Sequence, residues 1–220
     1  MKRIIVFGMR FVIFCFVSSL MLASCQNTKV LLPQAKVTII AEIKDQSPVY
    51  FFLKMEEKDT LIEVKTKNSG SVTNRIFFID TRLSLRKVIS EIKNIQANKD
   101  ESTQECKIPE NYFAYTDTIK NAIAFLPFTK VNYKLEKPDF NLTYFYLDRN
   151  DLVHFKDEVF SKNEVQAFIN NLFTEHKSRI VFSYDKGMSF GKYIQYQFFI
   201  ENLIITKKGV TRNNNKEYIY

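Results

Sequence analysis

Chemistry-bearing residues are scarce in this chain. Its 220 residues include two histidines, three cysteines and five glycines. His154 and His176 show no metal-ligand spacing to each other or to Cys106, so no metal-site pattern is present. Five glycines leave no glycine-rich loop to cradle a phosphate, and no G-x-S-x-G nucleophile motif occurs. Cys106, flanked by Glu105 and Lys107, reads as an incidental loop thiol. The basic residues are interleaved with acidic ones, which argues against a nucleic-acid groove and leaves a mild preference for anionic surfaces. No enzyme, cofactor or metal is expected from these residues.

Apolar and aromatic residues, by contrast, are abundant. The chain is 45% hydrophobic, with 21 Phe and 11 Tyr. Lys2, Arg3 and Arg10 precede an uncharged apolar run from Phe11 to Leu22, short for a membrane span. The run ends in Leu22-Ala23-Ser24-Cys25. This pattern resembles a bacterial lipoprotein signal, in which the cysteine is lipidated and becomes the first mature residue. Cys25 is therefore the candidate lipidation site, and removing Lys2, Arg3 and Arg10 takes the formal charge from +8 to +5. Cys15 would leave with the signal and Cys25 would carry lipid. The remaining Cys106 cannot form an internal disulfide, so the fold must rest on its hydrophobic core. Gln26, Asn27, Thr28 and Lys29 carry no acidic charge, which favours a periplasm-facing leaflet over surface export.

Sequence patterning is sharpest in the C-terminal half. Leu142 to Leu147 and Leu152 to Phe155 read as strands around an Asp148-Arg149-Asn150-Asp151 turn. Ser161-Lys162-Asn163-Glu164 has capping-box form. Val165, Phe168, Ile169, Leu172 and Phe173 follow as one helical stripe. Arg179 to Tyr184 is another strand, ending at Asp185. A helix starting near Ser189 carries Phe190, Tyr193, Ile194 and Phe198 inward, and Leu203 to Thr206 with Val210 and Thr211 close the sheet. The expected unit is α+β, a small sheet with both helices on one face.

Within it, Ile180-Val181-Phe182-Ser183-Tyr184-Asp185-Lys186-Gly187-Met188-Ser189-Phe190-Gly191-Lys192 resembles the signature of the periplasmic domain of the ExbD/TolR family. In that family a strand ends in Asp-Lys and an aromatic-Gly-Lys begins the next helix. The matching positions are Asp185, Lys186, Phe190, Gly191 and Lys192, and the resemblance covers about residues 140 to 206. Physically, Asp185 can bond backbone N–H groups of the following turn. Gly191 would permit close approach of helix to sheet. Both roles are structural or binding roles.

The first half echoes the second. Val49, Phe51, Arg75, Ile76 and Phe78 sit 104 positions before Val153, Phe155, Arg179, Ile180 and Phe182. After a one-residue slip, Asp80, Ser84, Lys87 and Ile89 match Asp185, Ser189, Lys192 and Ile194, with Arg86 opposite Gly191. A hairpin over Val37 to Ile43 and Val49 to Leu53, a strand over Arg75 to Ile79 and a helix with Leu85, Val88, Ile89 and Ile92 on one face are expected. The segment Asp59 to Val64 fits either a strand or a helix.

The sequence thus predicts two small helix-on-sheet domains in tandem, each resembling the ExbD/TolR periplasmic domain. The expected limits are 1–24 signal peptide, 25–35 tether, 36–116 first domain, 117–139 connector, 140–212 second domain and 213–220 exposed tail. Phe11 to Leu22 contains no acidic residue, so the family's proton-coupling carboxylate has no counterpart here. The resemblance implies a membrane-anchored envelope lipoprotein, an interaction module of a TonB- or Tol-type transport or envelope complex. Its implied partners are motor proteins, peptidoglycan or another copy of itself. The alternative is a stand-alone periplasmic lipoprotein that lines a pocket with aromatics and binds a small molecule or glycan.

Overall fold

The structure, a computed structural model, describes residues 29–56, 59–66, 74–97, 110–139, 144–172, 178–205 and 210–220. The signal segment, Cys25, Cys106, Phe173 and His176 lie outside the described residues. The protein is mixed α+β, with two sheets and three helices among the described residues.

Aromatic and β-branched residues dominate the strands, as the pleated geometry favours. The first sheet comprises β1 (Gln34–Ala35), β2 (Gln46–Glu56), β3 (Asp59–Thr66), β4 (Asn74–Ile79), β5 (Asn111–Asp117) and β6 (Ala122–Pro127). Helix α1 (Leu85–Ala97) connects β4 to β5. The strand order is β1-β5-β4-β2-β3, with β6 beside β5. The second sheet comprises β7 (Asn132–Lys134), β8 (Tyr144–Leu147), β9 (Leu152–Phe155), β10 (Glu158–Ser161), β11 (Ser178–Tyr184) and β12 (Val210–Ile219). Helix α2 (Lys162–Leu172) precedes β11, and α3 (Phe190–Ile205) links β11 to β12. Here the order is β10-β9-β8-β11-β12-β7.

A shared frame runs through both sheets. The path β5-β4-β2-β3 pairs parallel, parallel, antiparallel, and β12-β11-β8-β9 repeats those signs in that order. They differ at their margins. β10 extends the second sheet beyond β9, whereas β3 ends the first sheet's order.

Burial follows from the helix patterns. Leu85, Val88, Ile89 and Ile92 give α1 one buried stripe. Helix α3 buries Phe190, Tyr193, Ile194, Tyr196 and Ile200 over a broad face and leaves Gln195, Glu201 and Asn202 exposed. Helix α2 begins as its capping residues predict, with the Ser161 N–H donating to Glu164 Oε2 at 2.8 Å.

One hydrophobic core joins the halves. It runs from Phe51, Phe77 and Phe113 through α1 and α3 to Phe145, Phe182 and Ile219. At the seam, Phe113 stacks on Phe128 at 3.8 Å and meets Phe190 edge-on at 5.2 Å. Phe198 of α3 meets Tyr115 of β5 at 5.0 Å. Each such ring stabilises by roughly 1.5–3 kcal/mol of burial, so the seam is cohesive.

Several expectations need correction. Val37 to Ile43 forms no strand. Ile40 makes an isolated bridge to Phe125, and with Leu32 and Ile43 it covers an apolar outer face formed by Ile76, Tyr112 and Ala114. That face needs cover more than the sheet needs a strand. Residues 31–33 of the expected tether are bonded to the first sheet and its corner, the Thr81 and Thr116 N–H groups donating to Leu31 O at 2.7 Å and Pro33 O at 2.8 Å. Asp59–Thr66 is a strand. The connector is divided between the sheets, β6 going to β5 and β7 to β12. The expected tail is part of β12, an interior strand between β11 and β7. Its polar composition misleads because Glu217 is buried and hydrogen-bonded. The Tyr193 hydroxyl donates to it at 2.8 Å and the Gln197 amide at 3.1 Å.

A core shared in this way should unfold in one step. Urea denaturation is expected to give a single transition by fluorescence and circular dichroism alike, and Phe113→Ala should cost about 3–5 kcal/mol. Two resolved transitions, with Phe113→Ala shifting only one of them, would contradict the shared core.

Candidate functional site at the paired strand-to-helix corners

Each half turns from its central strand into its long helix at an aspartate. At the end of β4, Asp80 Oδ1 accepts the Arg82 N–H at 3.0 Å, and Asp80 O accepts the Leu83 N–H at 3.1 Å. At the end of β11, Asp185 Oδ1 accepts the Gly187 N–H at 2.7 Å, and Asp185 O accepts the Met188 N–H at 3.0 Å. A short acidic side chain bonding two residues ahead fixes the turn that starts the helix.

Both carboxylates also hold a forked guanidinium. Arg82 reaches back to Asp80 through Nε at 2.9 Å and Nη2 at 2.8 Å. At the second corner the fork comes from Arg149, in the β8–β9 turn, through Nε at 2.6 Å and Nη2 at 2.9 Å. Gly187 occupies the place of Arg82. A Cβ there would lie 2.3 Å from Arg149 Nη2, so the glycine leaves the space the incoming guanidinium fills. The same carboxylate–guanidinium fork is therefore built from different parts of the chain.

The corners face each other. The Leu85 N–H donates to Met188 O at 2.8 Å, and the Phe190 N–H donates to Leu83 O at 2.7 Å. The Arg86 N–H donates to Lys186 O at 3.1 Å, and the Gly191 N–H to Thr81 O at 2.9 Å. Exchanging each residue for its counterpart converts one pair of bonds into the other, with Ser84 bridged to Ser189 at the centre. This is the reciprocity of an isologous two-fold contact, here within one chain. It also answers a chemical need. The first N–H groups of a helix have no partner inside that helix. Those of α1 and α3 are satisfied by carbonyls of the opposite corner.

All five motif positions named from the sequence in the C-terminal half meet here. Phe190 is buried against Phe113. Lys192 pairs with Asp151, which also takes Lys162 Nζ at 2.6 Å, so the helix start is tied to the β8–β9 turn and to α2. The Lys186 side chain is exposed, and its backbone serves the contact. Gly191 corrects an expectation. Its Cβ would lie 1.9 Å from Thr81 Oγ1 and 3.2 Å from Thr81 O, so the close approach it permits is to the other corner. Arg149, Thr81 and Asp151 escaped sequence reasoning because their partners are distant in the chain. The opposition of Arg82 and Gly187 in the aligned halves was the one available cue.

Electrostatics make the corners acid-sensitive. The Arg149 fork is the main cause holding the Asp185 carboxyl below its ordinary value. Burial opposes it and the Gly187 N–H assists. For Asp80, burial pushes upward, but the Arg82 guanidinium and the N–H groups of Arg82 and Leu31 prevail and hold the carboxyl low. Burial likewise raises Asp151, and Lys162 and Lys192 together outweigh it. Farther away, an open depression of about 340 Å³ is lined by Lys93, Gln96, Ala97 and residues 129–133. Among the described residues no group of three or more His, Cys, Asp or Glu side chains is placed to hold a metal ion. No family model, no curated protein and no solved structure matches the chain.

Three outcomes follow from this geometry. Gly191→Ala should cost about 1–3 kcal/mol by overpacking, and Thr81→Ala in the same chain should recover part of it in thermal denaturation. Arg149→Ala should lower the urea midpoint, and adding Gly187→Arg should restore it by supplying the fork locally, as Arg82 does. Because both corner carboxyls titrate low in the folded state, their contribution is complete above the unfolded value, about 3.9. It is lost as pH falls through the folded values. Stability measured from pH 6 down to pH 2 should therefore fall, and Asp80→Asn with Asp185→Asn should flatten that decline.

Proposed function

We propose that this chain is a non-enzymatic, lipid-anchored envelope protein built from two ExbD/TolR-like units in tandem. Its role is that of an interaction module in a TonB- or Tol-type transport or envelope complex. The observation that carries the reading is the reciprocal contact between the Asp80 and Asp185 corners. A contact of two-fold form inside one chain is what duplication of a self-associating unit would leave behind. The residues that resemble the family signature, Asp185, Lys186, Phe190, Gly191 and Lys192, lie at this contact. The repeated pairing order of the two sheets supports the same reading. Cys25, behind its apolar run, supplies the anchor, and the periplasm-facing leaflet is its location.

The Asp185, Phe190 and Lys192 side chains are engaged at the corners and Gly191 has none, which leaves Lys186 as the one motif position with an exposed side chain. Recognition is then assigned to the sheet margins. β3 and β10 end their respective strand orders, each carrying an exposed apolar side chain, Leu61 and Val159. Strand edges present backbone donors and acceptors that an extended segment of a motor protein can pair with.

A photo-crosslinking residue placed at Leu61 or Val159 in living cells tests this assignment. Crosslinks from either margin to an envelope transport protein, or co-sedimentation with cell-wall sacculi, are the expected result. Failure of both margins to capture either class in correctly localised protein would overturn it.

A further inference from the structure

The second sheet ends at β10 on one side and at β7 on the other, where a three-residue strand has β12 on one flank and no strand beyond it. Beside β7 lies the open depression of about 340 Å³ that the corner contact does not use. One wall is the last turns of α1, where Lys93 and Gln96 stand at i and i+3 and so share a side of the helix. The other wall is the 129–133 segment, with Thr129, Lys130 and Asn132. Both walls are held firmly. Ile89 and Ile92 bury the opposite part of α1 in the core. The Asn111 N–H donates to Thr129 Oγ1 at 2.7 Å, and Phe128 stacks on Phe113. Tyr133 is buried, its hydroxyl 3.2 Å from that of Tyr193.

Charge decides what such a depression takes. Lys93 and Lys130 are exposed, and neither has an acidic partner among the described residues. No Asp or Glu is among the described residues that line it. Lys216, also exposed, is the strand partner of Asn132 on β12. The C-terminal end of α1 offers about half a negative charge, which two lysines outweigh. We propose that this edge binds an extended acidic segment of a partner protein, which adds to β7 as a further strand with its carboxylates against Lys93 and Lys130. The inference rests on the interaction-module reading above and names the chemistry of one partner segment. A terminal strand supplies backbone donors and acceptors, and the lysines reject a basic strand while attracting an acidic one. At about 3.3 Å per residue, β7 spans roughly 10 Å, enough for acidic side chains at alternate positions of the incoming strand. An open depression admits a passing chain, whereas a free small molecule is ordinarily enclosed.

Fluorescence anisotropy of the full-length protein in detergent tests this with a short labelled peptide alternating glutamate and valine, beside its glutamine counterpart. The glutamate peptide is expected to bind about ten-fold more tightly, and Lys93→Gln with Lys130→Gln should remove that preference. Amide resonances of residues 132–134 should shift with the glutamate peptide. Equal binding of the two peptides, a preference that survives the lysine substitutions, or shifts confined to β3 or β10 overturns the proposal. So does displacement of the peptide by an equal concentration of free glutamate, because the site is then one for a lone anion. Residues 98–109 include Asp100, Glu101 and Glu105. Peptide binding that appears only after Asp100→Asn, Glu101→Gln and Glu105→Gln gives the depression to the chain's own segment and overturns an outside partner. The crosslinks at Leu61 and Val159 are read in cells and this binding in purified protein, so either reading can fail while the other stands.

Discussion

The fold depends on mutual capping of two helices. Leu85 and Arg86 open α1, and Phe190 and Gly191 open α3, with N–H groups that no earlier residue of their own helix can accept. Carbonyls of Met188, Lys186, Leu83 and Thr81 accept them across the seam. A buried N–H left without a partner costs on the order of 1–3 kcal/mol. Separating the halves would expose four such groups at once, together with the rings of Phe113 and Phe190. The corners are therefore where two sheets become one molecule.

That contact also accounts for positions at which the two corners differ. Thr81 and Gly191 cannot both carry side chains at their meeting point, so a hydroxyl on one side matches a missing Cβ on the other. The mirror position pairs Arg86 with Lys186, where the structure records the 3.1 Å backbone bond alone. The aspartate forks diverge in the same manner. Both corners require a guanidinium on the carboxylate, but one takes it from its own turn and the other from a distant hairpin. Both corners thus have the same fork geometry, supplied by different parts of the chain.

Local pattern was legible where one face of an element decides its fate. The capping box at Ser161, the stripe of α1 and the strand-ending aspartates all depend on near neighbours, and the sequence carries that information. Placement was less legible where a distant partner decides. Residues 37–43 alternate well enough for a strand, yet the apolar outer face of the first sheet takes them as a cover. Asn213 to Glu217 look like a solvated tail, but β12 is an interior strand, and Glu217 is accommodated there by Tyr193 and Gln197 of α3. Polarity counted along the chain does not reveal a buried carboxylate whose donors lie on another element. The Arg149–Asp185 fork was hidden for the same reason.

Chain order then separates two surfaces. The β5–β6 hairpin carries Ile119 and Ile123 close to the N-terminal segment, whereas β3 lies three strand positions from β5 across the same sheet. At about 4.8 Å per strand, that places the first sheet's outer margin roughly 14 Å from the hairpin side. Residues 31–40 keep to the hairpin side: β1 pairs with β5, Ile40 bridges Phe125, and the segment is bonded to both Asp80 and Tyr115. The β3 margin therefore stands apart from the segment that precedes the first sheet, and the shared core carries the β10 margin in the same body.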